Sequence, residues 1–495
     1  MILSALIIIG FSVIICNFVQ CLITLKKSKL PSLPLLPLLG HSYYFLGSTH
    51  VFSEKLVNIA KRWYSLGLYM GPFLSAFIYD FKLVSHLMKS ENHMQRKAIQ
   101  YDFLRAIGKR TIFVDTGVPY KEAKRVLVDA VSHANLKEYQ TSFNRIAHNL
   151  ADDLRRKVGE SEFNMEIDLN FCSISVLLDT IMGLEASIMT RDEIVLFAKE
   201  FSNSLKYAFS RFYRIWLYPD FLYRMSGLFR SSNRSVSQIR KICGKLIRAR
   251  KERFEAHKQK KEKTSRTSVF IDKYFVSKKD DGSEFSVDDI TDDVLALLGA
   301  GFETTVSSLA FIIMMLAINQ DVQEKTFQEL REKLKENNEY FDTRDLNELQ
   351  YLDQVIHETW RLYPPIAAIG RLATKGIDLA NGGHLEKGTN VWVFLTMIHR
   401  DPKFYPNPDQ FDPDNFLPER VKERPPGVFM PFGFGTRKCF GNIFAKLVIK
   451  TILCHLLVNY QFQTTKTEKD FRIAFEITMK NKIGVPVSII PREKI

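Results

Sequence analysis

Residues 431–441 read PFGFGTRKCFG and place Cys439 in a segment with little of the character of a protein core. Glycines let such a backbone turn sharply and approach a flat molecule closely, and they stand here at Gly433, Gly435 and Gly441. Arg437 supplies a positive charge that lowers a thiol pKa or binds a carboxylate. The apolar segment 442–460 predicts a helix whose amino-terminal dipole favours an anion at Cys439. The pattern predicts an anionic sulfur facing a cofactor with carboxylates.

The spacing F-G-x-G-x-R-x-C-x-G in this segment resembles the haem-binding loop of the cytochrome P450 family. Its six positions are filled by Phe432, Gly433, Gly435, Arg437, Cys439 and Gly441. The resemblance implies that Cys439 is the thiolate ligand of the iron in haem b and that Arg437 pairs with a haem propionate. The other four residues would then contact the cofactor. A thiolate ligand pushes electron density onto the iron and favours cleavage of the O–O bond.

A second motif, AGFETT at residues 300–305, lies within a predicted long helix. Ala300 and Thr304 are four residues apart and therefore share one face of that helix. The motif resembles the central-helix motif of the family, which implies that Glu303 and Thr304 deliver protons during oxygen activation. Some members of the arthropod family-4 group tether haem through a glutamate at the position of Ala300. An ester link is therefore not expected here, and fatty-acid ω-hydroxylation is a less secure inference.

Two further motifs, ETWRLYPP at 358–365 and FDPDNFLPER at 411–420, predict a structural network. Glu358 and Arg361 are three residues apart, and such a pair could be an ordinary surface pair worth a few tenths of a kcal/mol. The resemblance instead implies a buried pair that joins a later loop. In that loop the family places an arginine where this chain has Asn415. We therefore expect a weaker network, or one that is closed by hydrogen bonds through Asn415.

Three residues outside these motifs are further candidates for cofactor binding. Arg371, in the segment IGRLA, matches a family position that contacts a propionate. Near residue 120 the family often has W-x-x-x-R, whereas this chain has Tyr120 and Lys124. Both side chains donate hydrogen bonds, so the resemblance implies that they replace the usual propionate contacts.

The amino terminus predicts a single membrane anchor at residues 1–25. Residues 2–25 carry no charge and would span about 36 Å as a helix, against roughly 30 Å of membrane hydrocarbon. Lysines follow at positions 26, 27 and 29, which predicts that the rest of the chain is cytosolic. A cleaved secretory signal is the alternative, but the apolar run is long and no basic residue precedes it. A basic, proline-rich hinge at 26–40 and a haem-binding domain at 41–495 would follow.

The cysteine pattern and the net charge limit the cellular compartment and the kinds of partner that are expected. The 495 residues include six dispersed cysteines and no C-x-x-C pair, which predicts a reducing compartment without disulfides. The net charge of +14 comes without a nucleic-acid motif, so no nucleic-acid partner is expected. An anionic membrane and an acidic protein are the better candidates, with a merely soluble basic surface as the alternative.

Hydrophobic periodicity predicts a fold that is mainly α with minor β. The predicted helical segments are 138–160, 165–185, 190–208, 235–262 and a long one from about Ser286 to Asn319. Short strands are expected within 376–395 and 471–490. The resemblance implies the fold class of a cytochrome P450 preceded by one transmembrane helix. The aromatic and basic segment 201–230 fits either core packing or a second membrane contact.

The motifs occur in family order across residues 30–490, and phrases such as RLYPP and HRDP resemble the arthropod family-4 group of microsomal enzymes. The resemblance implies a monooxygenase of the endoplasmic reticulum that oxidises a lipophilic small molecule. The substrate could be an endogenous lipid or hormone, or a xenobiotic. Electrons would come from NADPH through NADPH–cytochrome P450 reductase, with cytochrome b5 as a further candidate partner. The alternatives are a haem-thiolate isomerase or lyase and a non-catalytic haem-binding relic.

Overall fold

The computed structural model describes residues 2–109, 111–260, 269–278, 282–333 and 340–492. Helices dominate, and each predicted helical segment contains a helix, although the predictions 138–160 and 165–185 extend beyond the ends of the observed helices. The helices are α1 (Ile2–Ser28), α2 (Thr49–Arg62), α3 (Phe81–Lys89), α4 (Gly117–Ala130), α5 (His133–Leu154), α6 (Glu166–Ile181), α7 (Arg191–Tyr213), α8 (Asp220–Met225), α9 (Gly227–Lys260), α10 (Asp272–Val276), α11 (Val287–Ile318), α12 (Gln320–Lys333), α13 (Thr343–Glu348), α14 (Gln350–Leu362), α15 (Leu395–Ile398), α16 (Pro418–Glu423) and α17 (Asn442–Asn459).

Short strands form small sheets, in agreement with the prediction of minor β structure. The strands are β1 (Ser65–Met70), β2 (Phe73–Ile78), β3 (Phe163–Asn164), β4 (Ile369–Leu372), β5 (Ile377–Asp378), β6 (His384–Leu385), β7 (Asn390–Val393), β8 (Tyr460–Gln463), β9 (Ile473–Glu476), β10 (Thr478–Asn481) and β11 (Pro486–Pro491). One sheet has the order β1-β2-β7-β4, in which β2 and β7 are parallel. A second has the order β3-β11-β8, and the pairs β9–β10 and β5–β6 stand apart from both.

Helix α11 forms the centre of the core and carries the AGFETT motif. It begins where the sequence predicts, because Ser286 and Asp289 form a reciprocal capping box. It packs against α6, α9, α14 and α17. Glycine permits the close approach to α7 and α6: a Cβ at Gly299 would overlap the Phe201 ring, and one at Gly301 would lie 2.8 Å from the Leu177 side chain.

Helix α1 is largely exposed and continues to Ser28, beyond the predicted end of the anchor. Its last turns bury Cys21 and Leu25 against Tyr69 and Leu74 of the β1–β2 hairpin. Residues 8–28 are long and apolar enough to cross a membrane. In the part of the chain that the structure describes, α11 and α17 also meet that criterion, but both lie mostly inside the protein. Of these three helices, α1 is the one that is placed to enter a bilayer.

The aromatic segment 201–230 has both buried and exposed parts. Phe212 and Tyr213 belong to the buried core, whereas Phe221 and Met225 are 65% and 75% exposed. Part of the segment thus packs the interior, and α8 presents an apolar edge to the outside.

Candidate active site

A cavity of about 420 Å³ lies between α11, the paired strands β2 and β7, and the loop that precedes α17. Cys439 lines it from the loop, and its exposed surface therefore faces the cavity. Ala300, Gly301 and Thr304 line it from α11. Most of the remaining wall is aromatic or aliphatic. The topology thus brings together two sequence motifs that are about 135 residues apart.

The cysteine loop is shaped by two glycines in the left-handed region of backbone space. Gly433 has φ of 73° and Gly435 has φ of 68°, values that other residues adopt only with strain. The backbone N–H of Cys439 donates to the carbonyl of Phe432 at 3.0 Å, which closes the loop. The Phe432 ring packs edge-to-face against Trp360 of α14 at 5.1 Å between centroids. Gly441 has an ordinary φ of −86° and precedes the first residue of α17.

Opposing effects act on the Cys439 thiol. Burial raises its pKa, while the backbone N–H of Gly441 and the charges of Lys438 and Lys97 act in the other direction. The Arg437 guanidinium donates to the carbonyls of Asp115 at 3.0 Å and Ile112 at 3.4 Å, and it is not among the charges that lower the thiol pKa. The expectation that Arg437 serves the site by lowering the thiol pKa finds no support in this geometry.

Three cationic side chains converge beside the cysteine. Lys97 forms an isolated β-bridge with Arg371 of β4, and both line the cavity together with Arg437. The pKa of Lys97 lies well below its ordinary value, because burial and the charges of Arg371 and Arg437 disfavour its protonated form. Such mutual repulsion marks a place that is complementary to anionic groups. No local pattern distinguishes Lys97 in the sequence, and only the pairing with Arg371 reveals it.

Tyr120 and Lys124, the predicted substitutes for the family's Trp and Arg, hold the cysteine loop from α4. The Tyr120 hydroxyl donates to the Thr436 carbonyl at 3.1 Å, and the Lys124 ammonium donates to the same oxygen at 2.9 Å. The Arg437 guanidinium lies 3.6 Å from the centre of the Tyr120 ring. These contacts position the loop, and a direct contact with a cofactor stays a prediction.

Glu303 is enclosed by polar groups from two other elements and is only 2% exposed. Its carboxylate accepts hydrogen bonds from Ser202 of α7 at 2.9 Å and from Thr478 of β10 at 3.2 Å. Lys480 of β10 forms an ion pair with it at 2.7 Å. Burial acts to lower the pKa of Lys480, but the Glu303 charge opposes it and the net shift is upward. Sequence reasoning missed these partners, which come from positions over 100 residues away.

Thr304 directly follows Glu303 in the chain, and it lines the cavity. Its hydroxyl donates to the Ala300 carbonyl at 2.6 Å, one turn earlier in α11. The hydroxyl oxygen therefore keeps its acceptor capacity toward the cavity. The AGFETT motif thus places a threonine hydroxyl on the cavity wall and the carboxylate of the preceding residue in a buried ion pair.

The Glu358–Arg361 pair is fully buried, so it is not a surface helix pair. Two parallel hydrogen bonds of 2.7 Å join the guanidinium to the carboxylate. Arg361 also donates to the carbonyls of His399, Pro408 and Gln410. Such complete satisfaction is what a buried ion pair requires, since taking both charges out of water is costly.

Asn415 reaches the network by a hydrogen bond. Its side-chain amide donates to Glu358 Oε1 at 3.1 Å. A guanidinium is nevertheless close, because Arg424 donates to the Asn415 carbonyl. Arg424 and Arg361 lie 4.6 Å and 4.7 Å from the same Tyr405 ring. A cation thus stands near the place of the family's arginine but is supplied nine residues downstream.

The match to known proteins agrees with this arrangement. Residues 30–484 match the family "Cytochrome P450". The chain belongs to the cytochrome P450 family. It is therefore an oxidoreductase of the haem-thiolate monooxygenase class, and the family implies haem bound through a cysteine thiolate.

Relatives of this P450 carry family-4 names. Cytochrome P450 4g15 of Drosophila melanogaster is 26% identical, over 94% of this chain and 92% of the relative. Cytochrome P450 4c21 of Blattella germanica is also 26% identical, over 93% of each protein. Cytochrome P450 4V2 of Rattus norvegicus is 23% identical, over 99% of this chain and 96% of the relative. The predicted similarity to the arthropod family-4 group is confirmed.

The P450 fold is confirmed by a solved structure. Retinoic acid-bound cyanobacterial CYP120A1 matches this fold with a TM-score of 0.75 at 21% identity, over 94% of this chain and 99% of that chain. The residues of the cavity fit haem: a thiol faces the cavity, glycines permit close approach, and three basic side chains in the same wall would be available to pair with its propionates.

Proposed function

We propose that this P450 transfers one oxygen atom from O2 to a lipophilic small molecule, with electrons that NADPH supplies through a flavin reductase. The observation that carries the proposal is one cavity with a cysteine thiol, a threonine hydroxyl of α11 and mostly apolar walls. Haem bound at Cys439 would supply the oxidising chemistry. The chain's own residues would hold the cofactor, exclude water from the substrate and manage protons.

The cofactor would be held by charge and by close backbone contact. Arg371 and Arg437 would pair with the propionates, as the resemblance implies. Lys97 would join them, because the charges of both guanidinium groups disfavour its protonated form and anionic groups would favour it. Anionic carboxylates would relieve that repulsion and form charge-assisted hydrogen bonds. Tyr120 and Lys124 would act through the loop, whose Thr436 carbonyl they bind.

Protons would reach the cavity through Glu303 and Thr304. Lys480 supports this role because its side chain is 15% exposed whereas that of Glu303 is 2% exposed. The Lys480 side chain is thus more accessible than the carboxylate with which it pairs, which suits a route for protons to Glu303. Lys480 and Ser202 hold Glu303 in place, and the carboxylate would take up and release a proton between solvent and the cavity.

Replacing Glu303 by glutamine should lower the yield of oxygenated product per NADPH by about tenfold to a hundredfold, because an amide does not carry a proton between groups. Substrate binding should change little. The measurement is product formed per NADPH consumed, repeated in D2O. Glu476→Gln is the matched control, since Glu476 is also buried in the β9–β10 hairpin and pairs with Lys482 at 2.7 Å. An unchanged yield in Glu303→Gln would remove Glu303 from proton delivery.

Charge and helix α1 support the proposed partners and location. Lys438 and Arg125 are exposed, the first directly beside Cys439 and the second on α4, which holds the cysteine loop. A basic surface on this side suits an acidic reductase, with cytochrome b5 as a further candidate. The chain would be attached to the endoplasmic reticulum membrane by the anchor at 1–25. The hinge at 26–40 and a cytosolic domain at 41–495 would follow it.

The function is tested with the full-length, haem-loaded chain, lipid and NADPH–cytochrome P450 reductase. We expect a lipophilic substrate to stimulate consumption of NADPH and O2 and to yield an oxygenated product. Rearrangement of a lipid hydroperoxide without NADPH would identify an isomerase or lyase instead. A protein that binds haem and supports neither reaction would be a non-catalytic relic.

A further inference from the structure

The cavity wall carries polar atoms that neither haem binding nor proton delivery uses. Ser75 Oγ and Gln100 Oε1 belong to residues that line the cavity and are 1% and 2% exposed. Among the residues that the structure describes, neither atom has a hydrogen-bond partner. Buried polar atoms are nearly always paired, because an unpaired one loses its hydration without compensation. Two such atoms on one ligand cavity therefore point to a polar group of the ligand.

The strand register shows that Ser75 and Gln100 belong to neighbouring segments of the wall. Ser75 of β2 lies beside Asn390 of β7 in the parallel pair. Asn390 Oδ1 accepts a hydrogen bond from the backbone N–H of Ile99 at 3.0 Å, and Ile99 directly precedes Gln100. Asn390 Nδ2, beside Ser75, is a further buried atom without a partner in the described part of the chain.

Flat apolar surfaces surround this polar region. Phe77 and Trp392 follow Ser75 and Asn390 by two residues, so they lie on the same face of β2 and β7. The Trp392 ring stacks with Tyr101 at 5.7 Å and with Phe77 at 6.3 Å between centroids. A ligand group that reaches Ser75 and Gln100 must therefore be attached to an apolar body.

The two atoms differ in whether they donate or accept hydrogen bonds, and this difference indicates which ligand group binds them. The Gln100 carbonyl oxygen only accepts hydrogen bonds, whereas the Ser75 hydroxyl both donates and accepts. A ligand hydroxyl satisfies both, by donating to Gln100 Oε1 and accepting from Ser75 Oγ. A carboxylate only accepts and would leave Gln100 Oε1 without a donor. A hydrocarbon would leave both atoms unpaired.

We propose that Ser75 and Gln100 form a polar subsite that binds the hydroxyl group of a lipophilic alcohol. The subsite deepens the proposed function and rests on it, since the alcohol is the molecule to be oxygenated. The hydroxyl orients the alcohol in the cavity, and the apolar remainder contacts the aromatic wall. Fatty acids, which present a carboxylate, are discriminated against at this point.

The test uses the full-length holoprotein and matched probes on two carbon skeletons: 1-adamantanol, adamantane and adamantane-1-carboxylic acid, and dodecan-1-ol, dodecane and dodecanoic acid. Binding is followed by the change in the haem Soret band. We expect the alcohol of at least one skeleton to bind about tenfold more tightly than its hydrocarbon and its acid. Equal affinities, tighter binding of the acid, or no binding on either skeleton would overturn the subsite.

Two variants and a control assign the preference to the named atoms. Ser75→Ala and Gln100→Leu should each reduce the alcohol-to-hydrocarbon affinity ratio toward one, while the Soret band of the reduced, CO-bound protein stays as in the unmodified chain. Ser308→Ala should keep the ratio, because the Ser308 hydroxyl also lines the cavity but already accepts from Trp360 Nε1 at 3.0 Å. A ratio that survives in both Ser75→Ala and Gln100→Leu would refute the assignment.

Failure of the subsite and failure of the proposed function give different results. A protein that oxygenates compounds with NADPH but shows no preference for alcohols would keep the function and lose the subsite. A protein that prefers alcohols but forms no product with NADPH and reductase would keep the subsite and lose the function.

Discussion

Replacement of Cys439 by serine is expected to reduce oxygenation to the background of the assay and to abolish the red-shifted Soret band of the reduced, CO-bound protein. That band reports a thiolate bond to iron, and an alcohol does not replace the electron donation of an anionic sulfur. Burial raises the pKa of the Cys439 thiol and so favours its protonated form. The side chain would therefore become a thiolate when it coordinates the metal. Absorption spectra of the purified, reduced protein with carbon monoxide provide the measurement.

The matched control for this prediction is Cys454→Ser. Cys454 lies in α17, the helix that begins three residues after Cys439, and it is buried in the core away from the cavity. Its replacement changes the same atom in the same part of the chain and should leave the Soret band in place. A Cys439→Ser protein that retained the band and its activity would disprove the ligand assignment.

Replacement of Glu358 by alanine is expected to lower the free energy of unfolding by about 3–5 kcal/mol. The change would leave the Arg361 guanidinium, whose side chain is 0% exposed, without its anionic partner. The carbonyls of His399, Pro408 and Gln410 would still accept from it, but they carry no full charge. Chemical denaturation of the holoprotein, followed by circular dichroism, measures the loss.

Two comparisons make the effect of Glu358 specific. Asn415→Ala removes one hydrogen bond to the Glu358 carboxylate and should cost about 1–3 kcal/mol. Asp152→Ala breaks an Asp–Arg pair with the same spacing of three residues, but Asp152 and Arg155 are 43% and 62% exposed, so less than about 1 kcal/mol is expected. If Glu358→Ala proved no more costly than Asp152→Ala, burial of the pair would not govern its energy.

The contrast between Glu358–Arg361 and Asp152–Arg155 shows where sequence reasoning ends. Both are acid–arginine pairs three residues apart, with Asp152 in the last turn of α5 and Arg155 directly after it, and spacing alone does not distinguish them. The family resemblance favoured burial for the first pair, and the structure shows it. The same limit applies to Asn415, whose hydrogen bond to Glu358 was one of two stated alternatives.

The sequence by itself determined those features that depend on neighbouring residues. The apolar length of α1, the capping box at Ser286 and the turn chemistry of residues 431–441 are local, because hydropathy, hydrogen bonds between near neighbours and glycine conformation act within a few residues. Cys439 was therefore recognisable, and with it the family.

The tertiary structure alone decided which distant residues complete the site. Lys97 next to Arg371, Lys480 against Glu303, and the unpaired atoms of Ser75 and Gln100 arise when segments up to about 275 residues apart pack together. Their significance lies in burial, which makes a charge or a polar atom costly unless it finds a partner. Burial is a property of the whole packed chain, and so is the choice of partner.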